Sequence, residues 1–268
     1  MIKTYLEFIN ESRRSKPISV GGYSVEDIIK KYAPWYNVNI SETFYRGIKG
    51  DDIRNEDGSY FDAFLVKPSE STRIKGKTYY NMLIDNSPLW ENYPKRDRSL
   101  ICSTDTRGAS SYGETYRVIP TIENSVFGVC PNHDIWASFS KGLKLLEPEF
   151  HLLGLDEFES INRELFNYLS KKGVKVDNTT YKGILKAYEI FDSLTSIERD
   201  IARIRTAARG EKLINFFNDV LNPTKNGFKL INYNNSTRIK TEDTHSKRYK
   251  EVCTSADCLL IKESLFNE

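Results

Sequence analysis

Asp156-Glu-Phe-Glu-Ser-Ile-Asn-Arg-Glu-Leu-Phe-Asn-Tyr-Leu169 is where the pattern of the chain changes. Phe158, Ile161, Leu165, Phe166 and Leu169 recur at three- and four-residue intervals, the spacing that gathers apolar side chains on one face of an α-helix. The same period runs through Ile184, Leu185, Tyr188 and Phe191, then through Ile197, Ile201, Ile204, Leu213, Phe216, Phe217 and Val220. A helical block is therefore expected from about 150 to 222, closed by the turn-forming Asn222-Pro-Thr-Lys-Asn-Gly227.

On both sides of that block the signals are those of strands. Asn39-Ile-Ser-Glu-Thr-Phe-Tyr-Arg46 alternates and stops at Gly47, which puts Arg46 at a strand end. Leu100 to Thr104 reads as a short buried strand, Gly108 to Gly113 as a loop, and Thr115–Pro120 and Ser125–Cys130 as two more strands. Beyond the block, Phe228–Tyr233 is a strand, 234–247 a polar loop, and Glu251-Val252 opens a last strand region that includes Cys258 to Ile261. Earlier, Ser24 with Asp27 makes a capping box before Ile28, Ile29 and Tyr32, so a helix is expected over about 24–33. A second helix-like pattern covers Lys77 to Trp90 and ends near Pro88. Strands, then helices, then strands define an α+β fold.

The chain has 268 residues, enough for one large or two small domains. Lys+Arg 39 against Asp+Glu 37 leaves a net charge of +2, so no general surplus of cations calls for a nucleic-acid partner. No apolar run approaches the roughly 18–20 residues of a membrane span, and the start lacks the apolar centre of a secretory signal. Cys102, Cys130, Cys253 and Cys258 form no CxxC pair and the three histidines are scattered, so no metal is expected and the thiols read as reduced and mostly buried. Arg199, Arg203, Arg205 and Arg209 alternate with Glu198, Asp200 and Glu211, the pattern of a solvated helix face. Glu157 and Glu159 point apart at i, i+2 on a helix, which disfavours glycoside chemistry. His133-Asp134 beside Pro131 reads as a turn.

Three polar groups occupy equivalent places: Arg46 at one strand end, Ser103-Thr104 at another, Glu251 at the start of a third. Rigid strand ends that face solvent are where side chains converge on a ligand. A guanidinium suits a pyrophosphate and a carboxylate accepts from a ribose hydroxyl. Taken singly, Arg46 reads as a surface or salt-bridged arginine, Ser103-Thr104 as a strand end or helix cap, and Glu251 beside Lys247, Arg248 and Lys250 as a solvated ion pair.

Together, Phe44-Tyr-Arg-Gly47, Ser103-Thr104-Asp105 and Lys250-Glu251-Val252 resemble, in order and wide spacing, the three motifs of the arginine-serine-glutamate, cholera-toxin-like class of ADP-ribosyltransferases. The resemblance covers about 40 to 262. It implies a split mixed β-sheet interrupted by the helical block, with NAD as substrate and no metal. It also implies mono-ADP-ribosyl transfer, a glycosyltransferase chemistry, onto a host protein or nucleic acid, or hydrolysis of NAD to water. By that likeness Glu251 offsets the developing ribose cation and Ser103 fixes its rotamer, while Arg46 holds the phosphates; Gly47, Ser103 and Thr104, from the same motifs, are expected to contact NAD with it. Tyr112, Trp136 and Phe139 are the candidates for stacking on nicotinamide. The class usually carries Glu or Gln two residues before the catalytic glutamate to engage the acceptor, and here that place is Tyr249. Asp105 replaces the last serine of the second motif.

Met1 to Glu11, MIKTYLEFINE, resembles the capsid-targeting leader of internal head proteins in large tailed bacteriophages. Such leaders are cut after a glutamate preceded two places earlier by an aliphatic residue, and Ile9-Asn-Glu11 satisfies that rule. The likeness implies a leader region over 1–16 that is cut after Glu11, a catalytic domain over 17–268, residence in the virion interior and then the host cytoplasm, and no membrane partner. A non-enzymatic internal head protein with the same leader, and an ordinary N-terminal helix, are the alternatives.

Overall fold

Ser24 starts the first helix, α1 (Val25–Tyr32), as the sequence requires: its hydroxyl accepts from the Asp27 amide at 3.2 Å, and the Asp27 carboxylate accepts from the Ser24 amide in return. Ile28 and Ile29 face inward. The structure is a computed structural model that describes residues 16–17, 23–39, 43–49, 61–68, 78–139, 154–194, 211–234 and 249–266. The leader, its expected cleavage point, the stripe through Ile197 to Ile204, the arginines near 200 and most of the 234–247 loop lie outside the described residues.

The fold is α+β, built on an antiparallel sheet. Its strands are β1 (Lys16–Pro17), β2 (Phe44–Ile48), β3 (Ala63–Val66), β4 (Leu100–Ser103), β5 (Glu114–Pro120), β6 (Ser125–Val129), β7 (Lys229–Tyr233), β8 (Glu251–Thr254) and β9 (Cys258–Lys262). They lie in the order β1-β3-β9-β5-β2-β4-β8-β6-β7. Every described pairing is antiparallel, which corrects the expected mixed sheet. At the outer edge of the sheet the direction follows from how the long insertion rejoins it. Val129 ends β6 and is the register partner of Lys229, which starts β7, so the insertion closes like an enlarged hairpin loop. A parallel neighbour would need a crossover to the opposite end.

Two compact units share the chain, one drawn from 1–76, 93–134 and 229–268, the other from 77–92 and 135–228. The first holds the sheet. Its core runs through Phe44, Phe64, Tyr116, Val118, Phe127, Tyr233, Val252 and the Cys258-Leu-Leu-Ile261 run of β9. That run is wholly buried, so β9 is covered on both faces, and each such side chain contributes roughly 1.5–3 kcal/mol. The second unit is helical: α2 (Tyr79–Asn86), α4 (Ile135–Ser138), α5 (Gly154–Lys171), α6 (Tyr181–Ser193), α7 (Leu213–Val220) and α8 (Pro223–Asn226). The block expected at about 150–222 falls inside it, joined by α2 from a separate stretch of chain. Phe158 and Tyr188 both pack their rings on Phe217. Glu159 accepts from the Tyr79 and Tyr80 amides at 3.1 and 2.9 Å, capping α2.

Two local expectations are overturned in the sheet unit. The first part of the loop expected over Gly108–Gly113 belongs to the short helix α3 (Thr106–Ser110), which Asp105 caps by accepting from the Arg107 amide at 2.7 Å. Arg46 lies inside β2 rather than at its end, since the strand runs on through Gly47 to Ile48 against Thr115 and Glu114.

Candidate active site

The sheet opens between two of its central strands. β2 is registered along its whole length with β5, but with β4 only at Tyr45 opposite Ser103. On its other side β4 is fully zipped to β8, from Leu100 opposite Thr254 to Ser103 opposite Glu251. A cleft forms at this opening, and Arg46, Ser103 and Glu251 all line it. Residues far apart in sequence are thus brought to one place by neighbouring strands. Tyr249 and Tyr112 line it too, with Gly47 and Gly108.

Arg46 is 4% exposed and donates from Nη1 to the Ile101 carbonyl at 2.5 Å. Its side chain thus binds a β4 carbonyl where the two strands have begun to part. Burial pulls its pKa down to about 10, against the upward pull of Cys102, Tyr112 and Glu251. It stays cationic at neutral pH in a poorly hydrated place, where an anion is attracted more strongly than at the surface. Beside it, burial pushes the Cys102 thiol up to about 12, and Cys130 is raised as well. Neither is a thiolate near neutrality, which rules both out as ready nucleophiles.

Glu251 is 8% exposed, so the reading of a solvated surface carboxylate is overturned. Arg96 Nη1 donates to its Oε1 at 2.5 Å, and the Cys130 thiol lies 3.9 Å from the same oxygen. The backbone is held as firmly: the Glu251 amide donates to the Asn132 carbonyl, and the Glu251 carbonyl accepts from the Cys130 amide. One residue earlier, Lys250 donates its amide to Thr104 Oγ1 at 2.9 Å and accepts at its carbonyl from the Thr104 amide. Thr104, expected among the residues that contact NAD, extends the β4–β8 pairing and fixes the entry of Glu251 into its strand.

Ser103 Oγ accepts from the Asp105 amide at 3.2 Å. Gly108 brings α3 up against it: a Cβ there would lie 2.4 Å from Ser103 Oγ and 2.5 Å from Tyr249 Cδ2. A Cβ at Gly47 would lie 1.8 Å from the Ala109 carbonyl oxygen, so both glycines are required by close approach rather than by a turn. Tyr249 meets His133 edge-on, with ring centroids 6.0 Å apart, and the imidazole also lines the cleft.

Of the three stacking candidates, Tyr112 lines the cleft and is 37% exposed. Phe139 does not qualify. It is fully buried in the helical unit with its ring against Trp90 and Phe228, and a ring with no free face cannot take a nicotinamide. The Trp136 side chain lies outside the described residues. Sequence reasoning missed Arg96, hidden in the charged run Lys95-Arg-Asp-Arg98, and gave His133 only a turn. Nothing local marked either, because each is defined by a partner more than a hundred residues away.

Among the described residues no group of three or more histidine, cysteine and acidic side chains could hold a metal ion, and no described helix is long and apolar enough to cross a membrane. No protein-family model, no curated protein and no solved structure matches this chain. Its chemistry is therefore read from the site: a buried cation, a hydroxyl and an oriented carboxylate around one cleft with an accessible tyrosine ring.

Proposed function

We propose that this protein is an NAD-dependent mono-ADP-ribosyltransferase with the fold of the arginine-serine-glutamate class. The observation that carries the reading is the meeting of Arg46, Ser103 and Glu251 in one cleft, from three neighbouring strands. The donor set fits NAD: a buried guanidinium for the pyrophosphate, a carboxylate for the nicotinamide ribose, and Tyr112 for a flat ring.

In this reading the bond between nicotinamide and the ribose carbon breaks, and its electron pair leaves with nicotinamide. Positive charge develops on the ribose carbon and ring oxygen. Glu251 accepts from a ribose hydroxyl and opposes that charge without having to move, since it is already fixed. The acceptor then supplies an electron pair to the ribose carbon and loses its proton to solvent. Tyr249, whose ring lines the cleft where the class carries an acceptor-engaging acid or amide, favours a second reading in which water is the acceptor and the protein hydrolyses NAD.

The N-terminal part of the proposal rests on sequence alone: residues 1–11 direct the protein into a phage head and are removed there, and the protein enters the host with the genome. Amino-terminal sequencing of particle-borne protein is then expected to begin at Ser12.

The deciding experiment incubates the protein with NAD, with and without host lysate, and measures released nicotinamide and ADP-ribosylated product. Glu251→Gln is expected to lower release by about 100- to 1000-fold. Absence of release by the wild-type protein, or undiminished release by the variant, removes the proposal.

A further inference from the structure

We infer that Arg96 is a positioning residue for Glu251, which sets the direction of its carboxylate by holding Oε1. The inference rests on the reading of Glu251 given above and goes beyond it, because Arg96 belongs to none of the three motifs that carry that reading.

The contact is short, 2.5 Å from Nη1 to Oε1, and its two side chains are only 11% and 10% exposed. Arg96 sits in the 3-10 turn Arg96–Arg98 that leads into β4, while Glu251 opens β8, so two segments of the sheet unit each fix one end of the pair. The turn is itself anchored: the Arg98 amide donates to the Lys95 carbonyl, and Ser99 Oγ donates to the same carbonyl at 2.5 Å. Just before it, Pro94 and Tyr93 lie against Gly128 of β6, the strand next to β8.

A glutamate side chain has three rotatable bonds. Its register partner on β4 is Ser103. A guanidinium held in place on Oε1 removes most of that freedom. It also compensates the charge of a carboxylate that has little water around it, which an unaccompanied acid at this depth could not sustain cheaply. One oxygen is then committed to the protein. The carboxylate is thereby aimed before substrate arrives.

The test compares wild type with Arg96→Gln and Arg96→Lys in the full chain, measuring nicotinamide release across NAD concentrations, thermal unfolding, and the effect of Arg96→Gln in a Glu251→Gln background. Loss of an orienting partner typically lowers activity 10- to 100-fold. Arg96→Gln is expected to lose that much in kcat while KM for NAD stays within about threefold, Arg96→Lys to regain a substantial part, and Arg96→Gln to cost nothing further once Glu251 is glutamine. Equal loss in the Glu251→Gln background, or loss that simply follows the fall in Tm with no recovery by lysine, would reduce Arg96 to a structural role. Wild-type turnover that survives Arg96→Gln overturns this inference and leaves the transferase reading standing; no turnover by wild type takes down both.

Discussion

Arg96 Nη1 and Glu251 Oε1 are 2.5 Å apart, between side chains about nine-tenths withdrawn from water. Breaking a buried pair from one side strands the other charge, which typically costs about 3–5 kcal/mol. Glu251→Ala and Arg96→Ala are each expected to lose stability of that order in urea titrations. Arg96→Met combined with Glu251→Leu is expected to lose far less than the sum of the two alanine variants. Additive losses would mean that the two charges do not depend on each other.

Arg46 carries the opposite energetics. Its pKa, drawn down to about 10 by burial, means that the folded protein releases this proton before the unfolded chain does. Keeping the cation buried therefore costs stability at every pH below about 10, and the cost fades as pH rises beyond it. Arg46→Met is expected to hold or raise Tm at neutral pH while abolishing NAD binding. In the wild type NAD is expected to raise Tm, by the equivalent of about 2.7 kcal/mol at a hundredfold excess over Kd. A NAD-dependent Tm rise that persists in Arg46→Met would show that the guanidinium does not hold the ligand.

Asp105 gives a pH-dependent case. Its carboxylate receives both the Arg107 amide and the Arg107 guanidinium, which together hold its pKa below the ordinary carboxylate range. A depressed acid pKa supplies stability that is present above the ordinary carboxylate value and is lost as pH falls through the depressed one. Asp105→Ala is expected to cost about 1 kcal/mol at pH 7, the usual worth of a helix cap. Stability curves of wild type and variant are expected to converge toward acid pH, and a gap that is constant with pH would contradict the assignment.

Gly108 sets helix propensity against packing. Within α3 an alanine is favoured over glycine by about 1 kcal/mol. Against that stands a Cβ at 2.4 Å from Ser103 Oγ and 2.5 Å from the Tyr249 ring. The steric term wins, because both neighbours belong to the cleft wall: Gly108→Ala is expected to reduce nicotinamide release more than tenfold. Gly47→Ala, which meets a backbone oxygen, is expected to fold poorly, read as loss of soluble protein. A Gly108→Ala protein that is both stabler and fully active would show that the wall yields.

The alternation through Phe44-Tyr-Arg, the apolar runs at Leu100 and Cys258, and the 3.6-residue stripes at Phe158 and Ile184 all became strands and helices where their period put them, because local spacing and burial agree there. The antiparallel course of the sheet was not legible. At its β6–β7 edge it depends on Lys229 returning to Val129 after the helical insertion, which no local pattern encodes. The helix at Thr106–Ser110 was masked by its small residues and needed the Asp105 cap to be seen. Arg46, Ser103 and Glu251 stood out because each lies in a short motif, whereas Arg96 lies in a run of charges that reads like ordinary surface. Phe139 was misjudged for the converse reason: an aromatic near a turn looks available until its neighbours Trp90 and Phe228 are known.

The helical unit is drawn from two separate stretches of chain, 77–92 and 135–228, each of which interrupts the sequence of the sheet unit. Nicking the chain at one junction cannot free it, and one spliced linker cannot replace it. Trimming the protein to its sheet needs four cuts and two joins, and the first join must still deliver the segment that carries Arg96 to the strand beside it.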